Sequence, residues 1–232
     1  MFLKTLAGIA AALVLAACQP SGRDKIVNVE GDAYLGPADA KVTVIEYGSP
    51  TCPACKAWHD TFWDEVKRDY ITPGKIKFIF REYAIHGAID AGVFTIARCA
   101  GTEDYFKVLD AAFENQQAIA MSAQSGKSID ELKKLGAKFN LSGDQVVACM
   151  NDKDNIKRVN DVGAYTRQIG VNSTPTFFVQ GVEMPDSNWT AIKAAIDAAL
   201  SGQPVAPTPI APPADALPPG DDGHGHAPGE TH

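Results

Sequence analysis

Two cysteines separated by two residues, Cys52-Pro53-Ala54-Cys55, carry the most concentrated chemistry in this chain. They lie where the β-branched apolar run Val42-Thr43-Val44-Ile45 gives way to a segment of helical pattern beginning near Cys55. A thiol pair at a strand-to-helix junction reads as redox chemistry. Cysteines at this spacing close a small disulfide with little rearrangement, and the free N–H groups and dipole of a helix N-terminus stabilise a thiolate. On this reading Cys52 is the exposed nucleophile and Cys55 the shielded partner that resolves mixed disulfides. Half of a zinc site has the same spacing, so the pair alone leaves metal binding open.

The N-terminus narrows the choice. Met1-Phe2-Leu3-Lys4 leads into an alanine-rich apolar stretch, 6–17, without an acidic residue. This is the layout of an export signal and is short for a membrane span. The stretch ends in Leu15-Ala16-Ala17-Cys18, which resembles the bacterial lipobox. That resemblance implies removal of 1–17, lipidation of Cys18 and a lipid-anchored protein on the periplasmic face of a bacterial membrane. The alternative is a simple cleaved signal with an incidental cysteine. Of the five cysteines, lipidation of Cys18 leaves four, whose pairings are not fixed by sequence alone. The adjacent pair is the obvious one, which leaves Cys99 and Cys149 as a candidate structural disulfide.

The formal net charge is −7, with acidic and basic residues mixed along the chain, so nothing points to nucleic acid. Asn140, Asn172 and Asn188 each begin an Asn-x-Ser/Thr triplet, read here as chance matches in a bacterial protein.

The elements that must hold the thiol pair are legible in outline. Segments 26–29, 42–47 and 76–82 read as strands and 55–70 as a helix, with Pro73-Gly74 turning the chain before the third strand. From 88 to 169 apolar residues recur at helical spacing, broken by Gly101, Gly126, Gly136 and Gly143. Ser142 and Asp154 read as helix starts. Strands return at 176–180 and 182–184, and a helix follows at 188–200. The organisation expected is a signal at 1–17, a tether at 18–24, one domain at 25–200 with a helical insertion at approximately 85–169, and a tail at 201–232. The tail is rich in proline, glycine and acidic residues and is expected to be disordered. Its His224, His226 and His232 allow a metal-scavenging reading, although a solvated tail is the simpler one.

Three matches carry a family resemblance: Val42-Thr43-Val44-Ile45-Glu46-Tyr47-Gly48 running into Cys52-Pro53-Ala54-Cys55, then Thr174-Pro175-Thr176-Phe177-Phe178-Val179-Gln180-Gly181, then an alanine-rich closing helix. In these the chain resembles the DsbA-like thiol:disulfide oxidoreductases of the thioredoxin superfamily, in a lipoprotein variant. The resemblance implies an α/β thioredoxin fold with an inserted helical domain. It implies that Pro175 is a cis-proline, that Thr174 faces the cysteines and that the backbone beside them receives an extended substrate strand. The local sequence by itself fits an ordinary trans proline opening a strand.

The same resemblance assigns Glu46 a partly buried place near Cys55, where it helps move that thiol's proton. Read locally, Glu46 is a strand residue whose carboxylate reaches solvent. His59 follows Cys55 by four residues, on one helix face with Phe62 and Val66. Its two readings are a proton relay to Cys55 and a packed residue with one satisfied nitrogen. Trp58 and Trp63 flank that stripe and read as core.

Strongly oxidising relatives carry histidine where this chain has Ala54, while Pro53 is retained. The departure implies a higher Cys52 pKa and a more reducing potential than in those relatives. In some relatives a second disulfide joins two helices of the insertion, as Cys99 and Cys149 would; the alternative is two buried free thiols.

The function expected is dithiol–disulfide exchange in exported proteins, in the direction of disulfide formation. A periplasmic reductase or isomerase is the alternative within enzymes, and a metal-binding or metallation lipoprotein the alternative outside them. The exchange reading requires no dissociable cofactor and no metal. Its partners are exported cysteine-containing proteins, a redox partner that recharges the pair, and a membrane through the lipid anchor.

Overall fold

The computed structural model describes residues 30–206. The expected signal at 1–17, Cys18 and its tether, the strand at 26–29 and the tail beyond 206 with its histidines lie outside the described residues.

Five strands form one sheet in the order β1-β3-β2-β4-β5: β1 (Ala33–Leu35), β2 (Val42–Gly48), β3 (Ile76–Glu82), β4 (Thr176–Val179) and β5 (Val182–Glu183). β2 lies at the centre, parallel to β3 and antiparallel to β4, with Glu46 opposite Phe80 on one side and Phe177 on the other. Every residue of β2 is buried, which explains its nearly continuous apolar run.

Side chains alternate across a strand. Val42 and Val44 therefore join the large core formed with the helix that follows, whereas Ile45 and Tyr47 enter a smaller core with Ile79, Val171 and Phe178. The same parity sends Glu46 to the side of Val42 and Val44, beneath the helix. Its position there depends on Gly48, because a β-carbon at that residue would lie 2.5 Å from Phe80 Cζ and 3.0 Å from Glu46 Oε1.

The helix is α1 (Pro53–Val66), and its buried face carries Cys55, Trp58, His59, Trp63 and Val66. Trp58 and Trp63 are core, at 4% and 5% exposure. The segment expected to stay helical to Tyr70 becomes a π-helical turn at Lys67–Ile71, which turns Tyr70 inward so that its hydroxyl donates to Asp197 at 2.8 Å.

Between β3 and β4 stand six helices: α2 (Ala88–Ala100), α3 (Tyr105–Glu114), α4 (Gln116–Gln124), α5 (Ser128–Ala137), α6 (Gly143–Asn151) and α7 (Lys153–Gln168). α8 (Trp189–Leu200) closes the fold against β2 and β4. This is a thioredoxin fold with an inserted helical domain. Ser142 caps α6 through a reciprocal capping box with Gln145. Asp152, rather than the expected Asp154, caps α7, its carboxylate accepting from Asn155 N at 2.8 Å.

A buried ionic joint binds the insertion to the sheet. Asp32 accepts from Arg81 Nη2 at 2.6 Å and from Arg158 Nη2 at 2.7 Å. Glu82, at the end of β3, pairs with Arg158 and Arg98 and accepts from the Tyr105 hydroxyl. The guanidinium of Arg81 also donates to the Tyr47 hydroxyl at 2.7 Å. Each buried charge thus has an opposite partner, the condition under which such groups are tolerated in a core.

Candidate active site

Cys52 occupies the N-cap of α1, and Pro53 begins the helix, where its missing N–H leaves no bond unmade. The turn into the helix is closed by Cys52 N donating to Ser49 O at 3.1 Å. Across it lies Thr174-Pro175, whose peptide bond is cis, and the Cys52 thiol donates to Thr174 O at 3.4 Å. This cover leaves Cys52 only 6% exposed, which corrects the expectation of an exposed nucleophile. Cys55, one helical turn further in, is fully buried, and neither cysteine is in a disulfide.

The two thiols have opposite electrostatics. Cys52 is lowered from 9.0 to about 5, chiefly because the Cys55 thiol donates to it; the Thr174 side chain and the N–H groups of Cys55 and Ala54 add to this, against the penalty of burial. Cys55 is pushed far above the ordinary thiol value, first by burial and then by the neighbouring Cys52 and Glu46. The Ala54 side chain is exposed, so its contribution to the thiolate is its backbone N–H. The low Cys52 value therefore arises without an imidazole between the cysteines.

Thiolate absorbance of the reduced protein is expected to titrate with a midpoint of about 5. Because the folded value lies below the ordinary one, the stabilisation is full above about pH 9, shrinks as pH falls and is gone below about pH 5. Thermal unfolding of the reduced form, measured against the oxidised form that lacks this thiol, should gain stability across that window. A difference that stays flat with pH would contradict the assigned environment.

Behind Cys55, Glu46 is 0% exposed and its Oε2 lies 2.9 Å from His59 Nε2. Glu46 does not reach solvent, and His59 is buried with one ring nitrogen engaged. The acid expected near the second cysteine and the histidine one turn along α1 thus form a single unit.

Several residues at the site were absent from the sequence-based expectations. Asp90 of α2 is fully buried. Its carboxylate accepts from Thr51 Oγ1 at 2.6 Å, from Ser49 Oγ at 2.9 Å and from His86 N at 2.9 Å. With the Thr51 hydroxyl donating to Asp90, its contact with His86 Nδ1 at 2.7 Å makes that ring nitrogen the donor. Gln116 of α4 donates to the carbonyls of both Pro50 and Cys52 at 2.9 Å. The insertion therefore clamps the loop that presents Cys52. Its own helices α2 and α6 are joined by a disulfide between Cys99 and Cys149. Among the described residues, no three His, Cys, Asp or Glu side chains form a metal-binding group, so Cys52 and Cys55 find no further fixed ligand there.

The chain is similar to known proteins. A family model described as thioredoxin matches residues 28–198. A Rickettsia bellii chain provisionally named a protein-disulfide oxidoreductase is 32% identical over 177 residues, covering 74% of this chain and 65% of that protein; the match thus spans less than two thirds of this relative's length. Disulfide bond formation protein D of Bacillus subtilis is 24% identical over 187 residues, covering 76% of this chain and 80% of that one. The crystal structure of Wolbachia pipientis alpha-DsbA1 superposes with a TM-score of 0.69 at 24% identity, covering 78% of this chain and 96% of that one.

Proposed function

The chain belongs to the thioredoxin family, and from that premise we propose that it is a thiol:disulfide oxidoreductase that forms disulfides in exported proteins. The observation that carries the proposal is the Cys52 thiol at the N-terminus of α1, covered by the cis Thr174–Pro175 peptide and backed by the buried Cys55.

In the oxidising direction a substrate thiolate attacks Cys52 Sγ of the Cys52–Cys55 disulfide. The substrate–Cys52 bond forms, the Cys52–Cys55 bond breaks, and Cys55 leaves with its electron pair and takes a proton. A second substrate thiolate then attacks the substrate sulfur of the mixed disulfide, forming the substrate disulfide and expelling Cys52 as a thiolate. A Cys52 value of about 5 makes that thiolate a good leaving group and favours the reduced enzyme, the balance an oxidant needs. Two electrons remain on the cysteine pair until a redox partner removes them. Pro175 and Thr174 shape the groove for an extended substrate segment, and Glu46 exchanges the Cys55 proton.

The relatives' names, given as disulfide oxidoreductase and disulfide bond formation protein, support this direction. Among the described residues, no helix is long and apolar enough to cross a membrane, and the site of action proposed is the periplasmic face of a bacterial membrane, reached through a lipid on Cys18. Oxidised protein should restore activity to reduced, denatured ribonuclease, and Cys52→Ser should not. Faster insulin reduction than ribonuclease oxidation, together with a pair that is mostly reduced in cells, would instead establish a reductase. A mature protein whose Cys18 carries no lipid, as read by mass spectrometry, would exclude the anchor.

A further inference from the structure

Glu46 and His59 meet in a buried, aromatic-walled box. Their side chains are 0% and 7% exposed, and the Oε2 to Nε2 distance is 2.9 Å. The walls around the imidazole are aromatic, with ring centroids of Phe113 at 4.5 Å, Trp63 at 4.9 Å, Trp58 at 5.5 Å and Phe80 at 6.2 Å. Beyond the bond they share, Glu46 Oε1 and His59 Nδ1 are buried without a hydrogen-bond partner. Leaving buried polar atoms unpaired is unfavourable, and an apolar pair of the same shape would avoid it. Packing alone therefore does not account for these two residues. The other titratable groups facing the pair among the described residues are the Cys55 thiol, which feels Glu46, and Asp110 of α3, which feels His59.

Resting on the exchange chemistry proposed above, we propose that His59 acts through Glu46 as a positioning residue that lets the pair store the Cys55 proton. With Cys55 as a thiol, the pair holds one exchangeable proton in the Oε2···Nε2 bond and is neutral overall. When Cys55 gives up its proton, Glu46 Oε1 receives it and the shared proton resides on His59. The products are a Cys55 thiolate, a Glu46 carboxylic acid and a His59 imidazolium, so one negative and one positive charge appear together. In the oxidising direction the same step runs backward. As the Cys52–Cys55 bond breaks, Glu46 Oε1 delivers its proton to the departing Cys55 sulfur and the pair returns to one proton. A thiol as deeply buried as Cys55 is a poor leaving group as a bare anion, so its departure requires a proton at that moment.

The test is single-turnover opening of the oxidised full-length protein by glutathione from pH 5 to pH 9, for the native chain, His59→Phe and His59→Gln. Glutamine retains an N–H for Glu46 but cannot hold a proton; phenylalanine retains the ring and loses both. Opening by a given concentration of glutathione thiolate is expected to slow about 100-fold in both variants, the scale of general acid–base assistance. Both should also lose the fall in rate with rising pH that depletion of the stored proton produces in the native chain. Cys52 thiolate titration in each reduced variant reports whether the nucleophile is intact, and its midpoint should stay near that of the native chain. Native rates in His59→Phe, or rescue by His59→Gln, would overturn the proposal and leave His59 as packing or as a simple donor. Failure of the native protein to exchange with glutathione at all would count instead against the oxidoreductase reading.

Discussion

Cys55→Ser is expected to reduce catalytic turnover by about a thousandfold or more while leaving the protein able to attack disulfides. Such a variant should accumulate as mixed disulfides with its substrates. In the exchange proposed above the two cysteines would divide the labour. Cys52, with its thiol lowered to about 5, would be the sulfur that meets substrates, and Cys55, fully buried beside it, the one that resolves. Serine at 55 can still donate a hydrogen bond to the Cys52 thiolate but cannot form the second sulfur–sulfur bond. Mixed disulfides therefore form through Cys52 and persist, and non-reducing electrophoresis would display them as covalent adducts released by dithiothreitol. Cys55→Ala separates the two contributions. It blocks resolution equally, and it also removes the donor that is the largest cause of the low Cys52 value. The alanine variant should thus trap fewer adducts near neutral pH, with Cys52 titrating between about 5 and the ordinary 9.0. Sustained turnover by Cys55→Ser would mean that resolution does not pass through Cys55.

The elements that hold the two cysteines were legible because their signals are local. β2 is an unbroken apolar, β-branched run; α1 opens on Pro53; and its inward stripe recurs at helical spacing. Glu46 was placed by the family resemblance, whereas its local reading, a carboxylate reaching solvent, failed because β2 is buried on both faces. What escaped was set by tertiary contact. β1 is only three residues long, too short to show alternation, and it exists because β3 offers it an edge. Asp90 and Gln116 lie far along the chain from the loop they hold, and nothing in their neighbourhood marks them as its partners. The shielding of Cys52 belongs to the same class, since the carbonyl that covers it comes from Thr174, 122 residues away. The depression of its thiol was legible in direction from the helix N-terminus, but the largest contribution comes from Cys55, which the motif alone shows only as a partner for a disulfide.

The insertion that supplies Asp90 and Gln116 is held at a fixed spacing by one covalent link, and its loss should be the largest stability change available without touching the core. The Cys99–Cys149 bridge closes a segment with a sequence separation of 50, from α2 to α6. In the chain-entropy account, a loop of that length restrains the unfolded ensemble by about 4 kcal/mol. The restraint acts on the unfolded chain, so replacing both cysteines by serine should lower the urea midpoint and also steepen the transition, because the unlinked chain expands further on unfolding. Cys149 is 8% exposed, and a serine hydroxyl there adds a smaller desolvation cost in the same direction. The double alanine variant omits that hydroxyl; agreement of the two variants within about 1 kcal/mol would assign the effect to the link itself. An unchanged transition slope with a loss below about 1 kcal/mol would mean that native packing, rather than the bridge, keeps α2 and α6 together. In that case the clamp on the Cys52 loop depends on the Asp32, Arg81, Glu82 and Arg158 joint, whose opposite charges bind the insertion to β3 directly.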